Sequence, residues 1–227
     1  VLHVATGNEI VSPDRTPNRG RIRDANSTLV RAFLQQNGIV PKQLRTEEDR
    51  TQIKSGIEEA KSNTNLLLIS GGASVGQHDF TRQLLEEAGF TIHVSKTTAR
   101  PGKPLIVAQR GATLAFGLPG NPLAHFVCLN LYVRTALATW SGQSGNTGFL
   151  AGRLAKSFLV GGNARETFWP ARLELRNGVA SLTPLPWASS GDLTVLATAN
   201  ALIRLPHSIT QMLRGSLVDF ISTKGNA

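Results

Sequence analysis

The chain opens on a short apolar run, Val1-Leu2-His3-Val4-Ala5, closed by Thr6-Gly7, which reads as a strand. No methionine or polar lead-in precedes it, so the sequence is expected to be a piece of a longer chain. In residues 27–37 the apolar period changes. Leu29, Val30, Phe33 and Leu34 fall on one helical face, with Asn26 or Ser27 expected as N-cap and Gly38 as the stop. Asp49 is placed to cap a second helix, on which Ile53, Ile57 and Ala60 recur at spacings of four and three. Leu66-Leu67-Leu68-Ile69 is a continuous apolar run, the mark of a strand buried on both faces. A helix through Leu84, Leu85 and Ala88 should end at Gly89, and strands follow near 90–94, 105–108 and 113–116. Pro122 then opens a long apolar helix to about Trp140. Strand and helix alternate, so residues 1–142 are expected to form a three-layer α/β domain on a mostly parallel sheet.

The texture then shifts. Ser141-Gly142-Gln143-Ser144-Gly145-Asn146-Thr147-Gly148 has linker composition. Beyond it, alternating stretches such as Ala171-Arg172-Leu173-Glu174-Leu175 and Val179-Ala180-Ser181-Leu182-Thr183 flank Asn177-Gly178, a strong hairpin signal. Pro170, Pro184, Pro186 and Pro206 argue against helix throughout this half. Residues 149–227 are therefore expected to be a small antiparallel β-domain, sandwich or barrel.

The 227 residues carry 24 Lys and Arg against 15 Asp and Glu, a net charge of +9, which suggests anionic partners. The excess is spread along the chain without a run of like charges, and aromatic residues are only 6%. Neither a nucleic-acid-binding stripe nor a stacking platform is supplied, so no nucleic-acid partner is expected. No apolar run reaches membrane-spanning length and no signal-peptide pattern opens the chain, so a cytoplasmic protein without a membrane partner is expected. The single cysteine, Cys128, excludes an internal disulfide, and the five histidines show no ligand spacing for zinc. Cys128 is expected to pack in the core, and Trp140, Trp169 and Trp187 in the core or at a subdomain interface.

Polar, glycine-rich loops interrupt the α/β pattern. Ser70-Gly71-Gly72-Ala73-Ser74-Val75-Gly76 follows a strand and precedes a helix, so backbone N–H groups can approach an anion there. Gly71 and Gly76 have the spacing of a nucleotide phosphate loop, yet Gln77-His78 stands where its Lys and Ser or Thr belong. Arg100-Pro101-Gly102-Lys103-Pro104 holds two cations on a rigid path, and Gly117-Leu118-Pro119-Gly120-Asn121-Pro122 joins a strand to the long helix. Asn121 is the natural cap of that helix, and capping of the helix before it is the alternative to a chemical role for Asp79. Thr6-Gly7-Asn8-Glu9 and Gly20-Arg21-Ile22-Arg23-Asp24-Ala25-Asn26 complete the set, and together these loops outline a site for an anionic ligand at one sheet.

In this order, Thr6-Gly7-Asn8-Glu9, Asp24-Ala25-Asn26, Ser70 to Gly76 with Asp79, Pro101-Gly102-Lys103-Pro104 and Gly117 to Pro122 closely resemble the MoeA family of molybdopterin molybdenumtransferases. Arg165 with Phe168, Pro184, Ser190-Gly191 and Ala199-Asn200 before Leu202-Ile203 resemble that family's C-terminal β-barrel. The resemblance implies a molybdopterin-binding α/β domain followed by a barrel. It also implies the last step of molybdenum cofactor synthesis: molybdate enters adenylylated molybdopterin and AMP leaves, with dependence on Mg2+. It places substrate on Thr6, Gly7, Asp24, Asn26, Ser70, Gly71, Gly72, Ser74, Gly76, Arg100, Pro101, Gly102, Pro119, Gly120 and Asn121. Glu9 and Asp79 are implied as metal ligands and catalytic carboxylates, with Lys103 at the oxyanion and Asp49 as a further catalytic carboxylate. Asn8 stands where many relatives have Asp, and Arg100 where they often have Lys. Relatives also carry an N-terminal region and form homodimers, so this stretch is expected to fold but to transfer molybdenum poorly. Two other readings share the fold: a MogA-type molybdopterin adenylyltransferase, and a non-catalytic molybdopterin-binding scaffold module.

Overall fold

The computed structural model describes residues 1–47, 49–71, 75–143, 148–176 and 178–224, with the backbone alone for 61–63, 75–79 and 176. The chain packs into two compact units, Val1–Thr97 with Pro104–His125, and Thr98–Lys103 with the chain from Phe126 on.

In the first unit the strands are β1 (Leu2–Thr6), β2 (Ile10–Val11), β3 (Ile22–Arg23), β4 (Lys42–Thr46), β5 (Leu66–Ser70), β6 (Thr91–Val94), β7 (Ile106–Arg110) and β8 (Thr113–Leu118). Six of them form one sheet in the order β4-β1-β5-β8-β7-β6. β4, β1, β5 and β8 run parallel, and β7 and β6 add an antiparallel edge. The α/β reading therefore holds. Leu2, Val4, Leu67 and Ile69 pack on Ile53, Ile57 and Ala60 of α2 (Arg50–Asn63) and on Leu84 and Leu85 of α3 (Val75–Glu87). Strand alternation turns the intervening His3 to the opposite face, toward α1 (Ala25–Gln35). Asp49 caps α2 by accepting from Gln52 N, and Gly38, at φ +71°, follows α1 as the stop. The cap of α1 differs from expectation: Asp24, not Asn26 or Ser27, accepts from Ser27 N. Its extended backbone and short carboxylate reach the amide three residues on, which leaves Asn26 and Ser27 inside the cap box.

Pro122 opens α4 (Pro122–Cys128), which continues through a π-helical turn (Leu129–Val133) into α5 (Arg134–Trp140). The division between units falls inside this run, after His125. The expected boundary lay instead in 143–148, of which 144–147 are outside the described residues. The reason is apolar packing: Phe126, Val127 and Leu131 join Ala99, Phe149, Phe168, Leu202 and Ile221 in one cluster of the second unit.

That unit is a closed barrel of β11 (Thr167–Arg176), β12 (Val179–Pro184), β9 (Leu150–Leu154), β15 (Leu217–Ser222) and β13 (Ala201–Leu205). β10 (Phe158–Leu159) and β14 (Gln211–Met212) pair beside it. β11 and β12 form the expected hairpin, with Gly178 at φ +77° and Asn177 outside the described residues. The expectation of no helix here fails at α6 (Thr194–Thr198), where Asp192 accepts from Thr194 N and Val195 N. Trp169 packs edge-on to Phe158 and Trp187, whereas Trp140 is half exposed at the end of α5. Cys128 is buried, and burial pushes its thiol well above the ordinary range.

Candidate functional site

The carboxyl ends of β1, β5 and β8 lie side by side in the first unit, each followed by one of the glycine-bearing loops. Thr6 and Ser70 close their strands and are both buried. Gly71 lies so close to β1 that a Cβ there would stand 2.5 Å from the Thr6 carbonyl oxygen and 2.7 Å from its hydroxyl. Only glycine fits, which explains the first glycine of the loop. Gly7 N donates to Thr46 O at 3.4 Å, and the exposed Glu9 folds its carboxylate back over Gly7. Because β7 runs antiparallel, Pro104 and Leu105 lead into it at this same end of the sheet.

Side chains tie the loops together. Asn26 Nδ2 donates to Gly120 O at 2.8 Å, and the wholly buried His125 shares a 3.0 Å bond between Nδ1 and Pro119 O. The carbonyl only accepts, so Nδ1 carries the proton and Nε2 is an acceptor. His3, also wholly buried, bonds Ser70 Oγ through Nε2 at 2.6 Å and Gln43 Nε2 through Nδ1 at 3.0 Å. Asp24 accepts from Ser27 N, Ser27 Oγ and Arg45 Nε. Burial pushes His3 down to about 3, the adjacent His125 and Arg45 adding to the effect and Asp24 opposing it. Burial likewise holds His125 at about 4 against the upward pull of the Pro119 carbonyl and Asp24. Both imidazoles are therefore neutral at pH 7. Asn26 Oδ1, Thr46 Oγ1 and His125 Nε2 are buried with no hydrogen-bond partner among the described residues, leaving acceptor capacity in this unit.

The structure thus brings Thr6, Gly7, Ser70, Gly71, Pro119, Gly120 and Asn26 to one end of the sheet. Asp24 joins them as a structural cap, and Asn121 is exposed at the head of α4. His3 and His125, to which composition and spacing assigned no role, are the polar residues missed. The signal was a histidine inside an otherwise apolar strand or helix. Gly72 and Ser74 lie outside the described residues, and Gly76 and Asp79 are described by backbone only. Asp79 sits one turn inside α3, so it does not cap that helix. Among the described residues no three His, Cys, Asp or Glu side chains cluster for a metal. Glu9, exposed and rich in oxygen, is a donor of the kind Mg2+ takes.

Arg100, Pro101, Gly102 and Lys103 group with the second unit by packing, and the chain enters β7 of the sheet directly after them. Arg100 pairs with the start of β11, exchanging backbone bonds with Glu166 and Phe168, because its extended backbone fits beside Thr167. Its guanidinium stands 5.7 Å over the Trp187 ring, and Arg165 reaches Ala99 O. Lys103 is exposed.

The family model for a "probable molybdopterin binding domain" matches residues 3–139, and that for the MoeA C-terminal region, domain IV, matches residues 151–223. The chain belongs to the MoeA family. A molybdopterin molybdenumtransferase of Nostoc is 34% identical over 218 residues, covering 93% of this chain and 50% of the relative. One from Bacillus subtilis is 30% identical over 204 residues, 89% of this chain and 47% of its own length. The crystal structure of a molybdopterin biosynthesis MoeA protein from Pyrococcus horikosii superposes with a TM-score of 0.82 at 27% identity, over 99% of this chain and 54% of that one. The chain spans about half the length of the curated MoeA relatives it matches. No helix among the described residues is long and apolar enough to cross a membrane.

Proposed function

We propose that this chain binds molybdopterin at the carboxyl ends of β1, β5 and β8 and takes part in inserting molybdate into adenylylated molybdopterin, with release of AMP. The observation that carries the reading is the meeting of Thr6-Gly7, Ser70-Gly71 and Pro119-Gly120 at one end of the sheet, locked by Gly71 against Thr6 and by Asn26 on Gly120. Backbone amides of the Gly71–Gly76 segment, with Ser70 and Ser74, would hold the pterin phosphate, since N–H groups ahead of a helix suit an anion. Arg100 and Lys103 would hold molybdate or phosphate oxygens, the former by its planar fork. Glu9 and Asp79 would hold Mg2+, which when bound supplies positive charge to the phosphoanhydride, while Asp49 would add a carboxylate beyond its capping role. The barrel at 151–223 supports this reading over stand-alone adenylyl transfer.

Molybdopterin binding tests the site directly, by quenching of pterin fluorescence in the 227-residue chain. Saturable binding that Ser70→Ala weakens is expected, and no binding would reject the reading. Molybdate-dependent release of AMP from adenylylated molybdopterin tests the transfer step, and adenylyl transfer from labelled ATP in its place would favour the alternative activity. A homodimer, judged by light scattering, and a cytoplasmic location belong to the same proposal.

A further inference from the structure

Four polar side chains in the first unit form a chain whose hydrogen-bond directions can be assigned without ambiguity. Arg31 Nε and Nη2, which only donate, stand 2.9 and 2.7 Å from one atom of Gln43, which must be its carbonyl oxygen. The other end of that amide lies 2.8 Å from Ser27 O, which only accepts, so it is the NH2 group. The same NH2 faces His3 Nδ1 at 3.0 Å, and Nδ1 must accept. A neutral imidazole that accepts at Nδ1 carries its proton at Nε2, and Nε2 stands 2.6 Å from Ser70 Oγ. His3 therefore donates to Ser70.

The consequence falls on Ser70, the last residue of β5 and the neighbour of Gly71. A hydroxyl has one proton. If His3 accepted, that proton would be spent inward on the imidazole. Because His3 donates, one lone pair of Ser70 is spent inward, and its proton is left to be donated elsewhere. We propose that His3 is a positioning residue: it touches no ligand, but its Nε2–H turns Ser70 into a hydrogen-bond donor for a phosphate oxygen held at the Ser70–Gly71 turn. The inference rests on the proposed molybdopterin-binding reading and adds the group that sets the polarity of one contact. Burial, which keeps His3 uncharged, holds the arrangement across the physiological range.

Long-range 1H–15N spectra of histidine-labelled chain at pH 7, without ligand, read the tautomer. His3 is expected as the Nε2–H form and His125 as the Nδ1–H form, and an Nδ1-protonated His3 overturns the proposal. Binding of molybdopterin then separates the donor from the ring. His3→Leu should weaken it about tenfold, and His3→Gln, whose amide nitrogen lies near the position of Nε2, should restore it to within about twofold. Equal binding by His3→Leu, or equal loss in both variants, overturns the role. Should His3→Leu unfold the chain, Gln43→Glu carries the test. Its carboxylate only accepts, so the proton moves to Nδ1 and binding should again fall about tenfold. A displaced proton with unchanged binding overturns the proposal. Failure of the unaltered chain to bind molybdopterin would instead remove the functional reading, with the tautomer still measured independently of it.

Discussion

His3 and His125 are wholly buried bases that the fold keeps uncharged, at about 3 and about 4 against an ordinary 6.5. The unfolded chain binds two protons that the folded chain refuses. Stability is then fully present above pH 6.5 and falls as the pH drops below it, with Asp24 softening and Arg45 sharpening the loss at His3. Between about pH 5.5 and 4.5 the slope should approach about 2.7 kcal/mol per pH unit, two protons' worth, in urea unfolding followed by circular dichroism. In His125→Leu it should fall to about half. An unchanged slope would mean that the second proton is taken up elsewhere. Asp24 gives a second residue-level test, since its buried carboxylate accepts from Ser27 twice and from Arg45. Asp24→Ala should cost about 2–3 kcal/mol, because a cap is lost and buried donors are orphaned. Asp24→Asn, which keeps an accepting oxygen, should cost clearly less by the same measurement.

At the scale of elements, the strand ends are set by contacts that no local pattern encodes. Gly71, at φ +153°, presses its backbone on Thr6, so Gly71→Ala drives a methyl into the Thr6 carbonyl. That variant should lose at least about 2 kcal/mol in thermal unfolding and abolish molybdopterin binding, whereas Gly38→Ala, with open space around it, should lose about 1 kcal/mol and bind normally. Helix positions were legible because their signals are local: Asp49 and Gln52 are three residues apart, and Ile53, Ile57 and Ala60 share a face. The first cap was misread for a related reason. Asp24, Asn26 and Ser27 are all good capping residues, and the choice was settled by Arg45 on β4 and by Gly120, which claims the Asn26 amide. The short α6 escaped notice because five residues with one buried valine carry too little periodicity.

At the scale of the whole molecule, composition and packing divide the chain at different places. The Gly- and Ser-rich stretch after Trp140 reads as the boundary, yet Phe126, Val127, Leu131 and Ala99 pack with Phe168, Leu202 and Ile221. Residues 149–227 made alone would leave that apolar face uncovered. They should melt without a cooperative transition and bind a hydrophobic dye, and a sharp transition at the temperature of the full chain would contradict this. The charge of +9 also takes its meaning at this scale. It agrees in sign with the anionic ligand proposed, but the cations resolve into local tasks: Arg31 orients Gln43, Arg45 pairs with Asp24, and Arg100 lies over Trp187.

The alternation of strands and helices across residues 1–142, the change to a mainly β second half and the membership of the MoeA family are legible in the sequence alone. Each rests on periodicity, turn chemistry or an ordered set of motifs carried by neighbouring residues. Only the tertiary structure decided that His3 and His125 are buried and neutral, that Gly71 must lack a side chain, and that the run from Pro122 to Trp140 is divided between two units. Those properties depend on burial and on partners tens of residues away, such as Ser70 for His3, and the free energy of a polar group is set by what surrounds it.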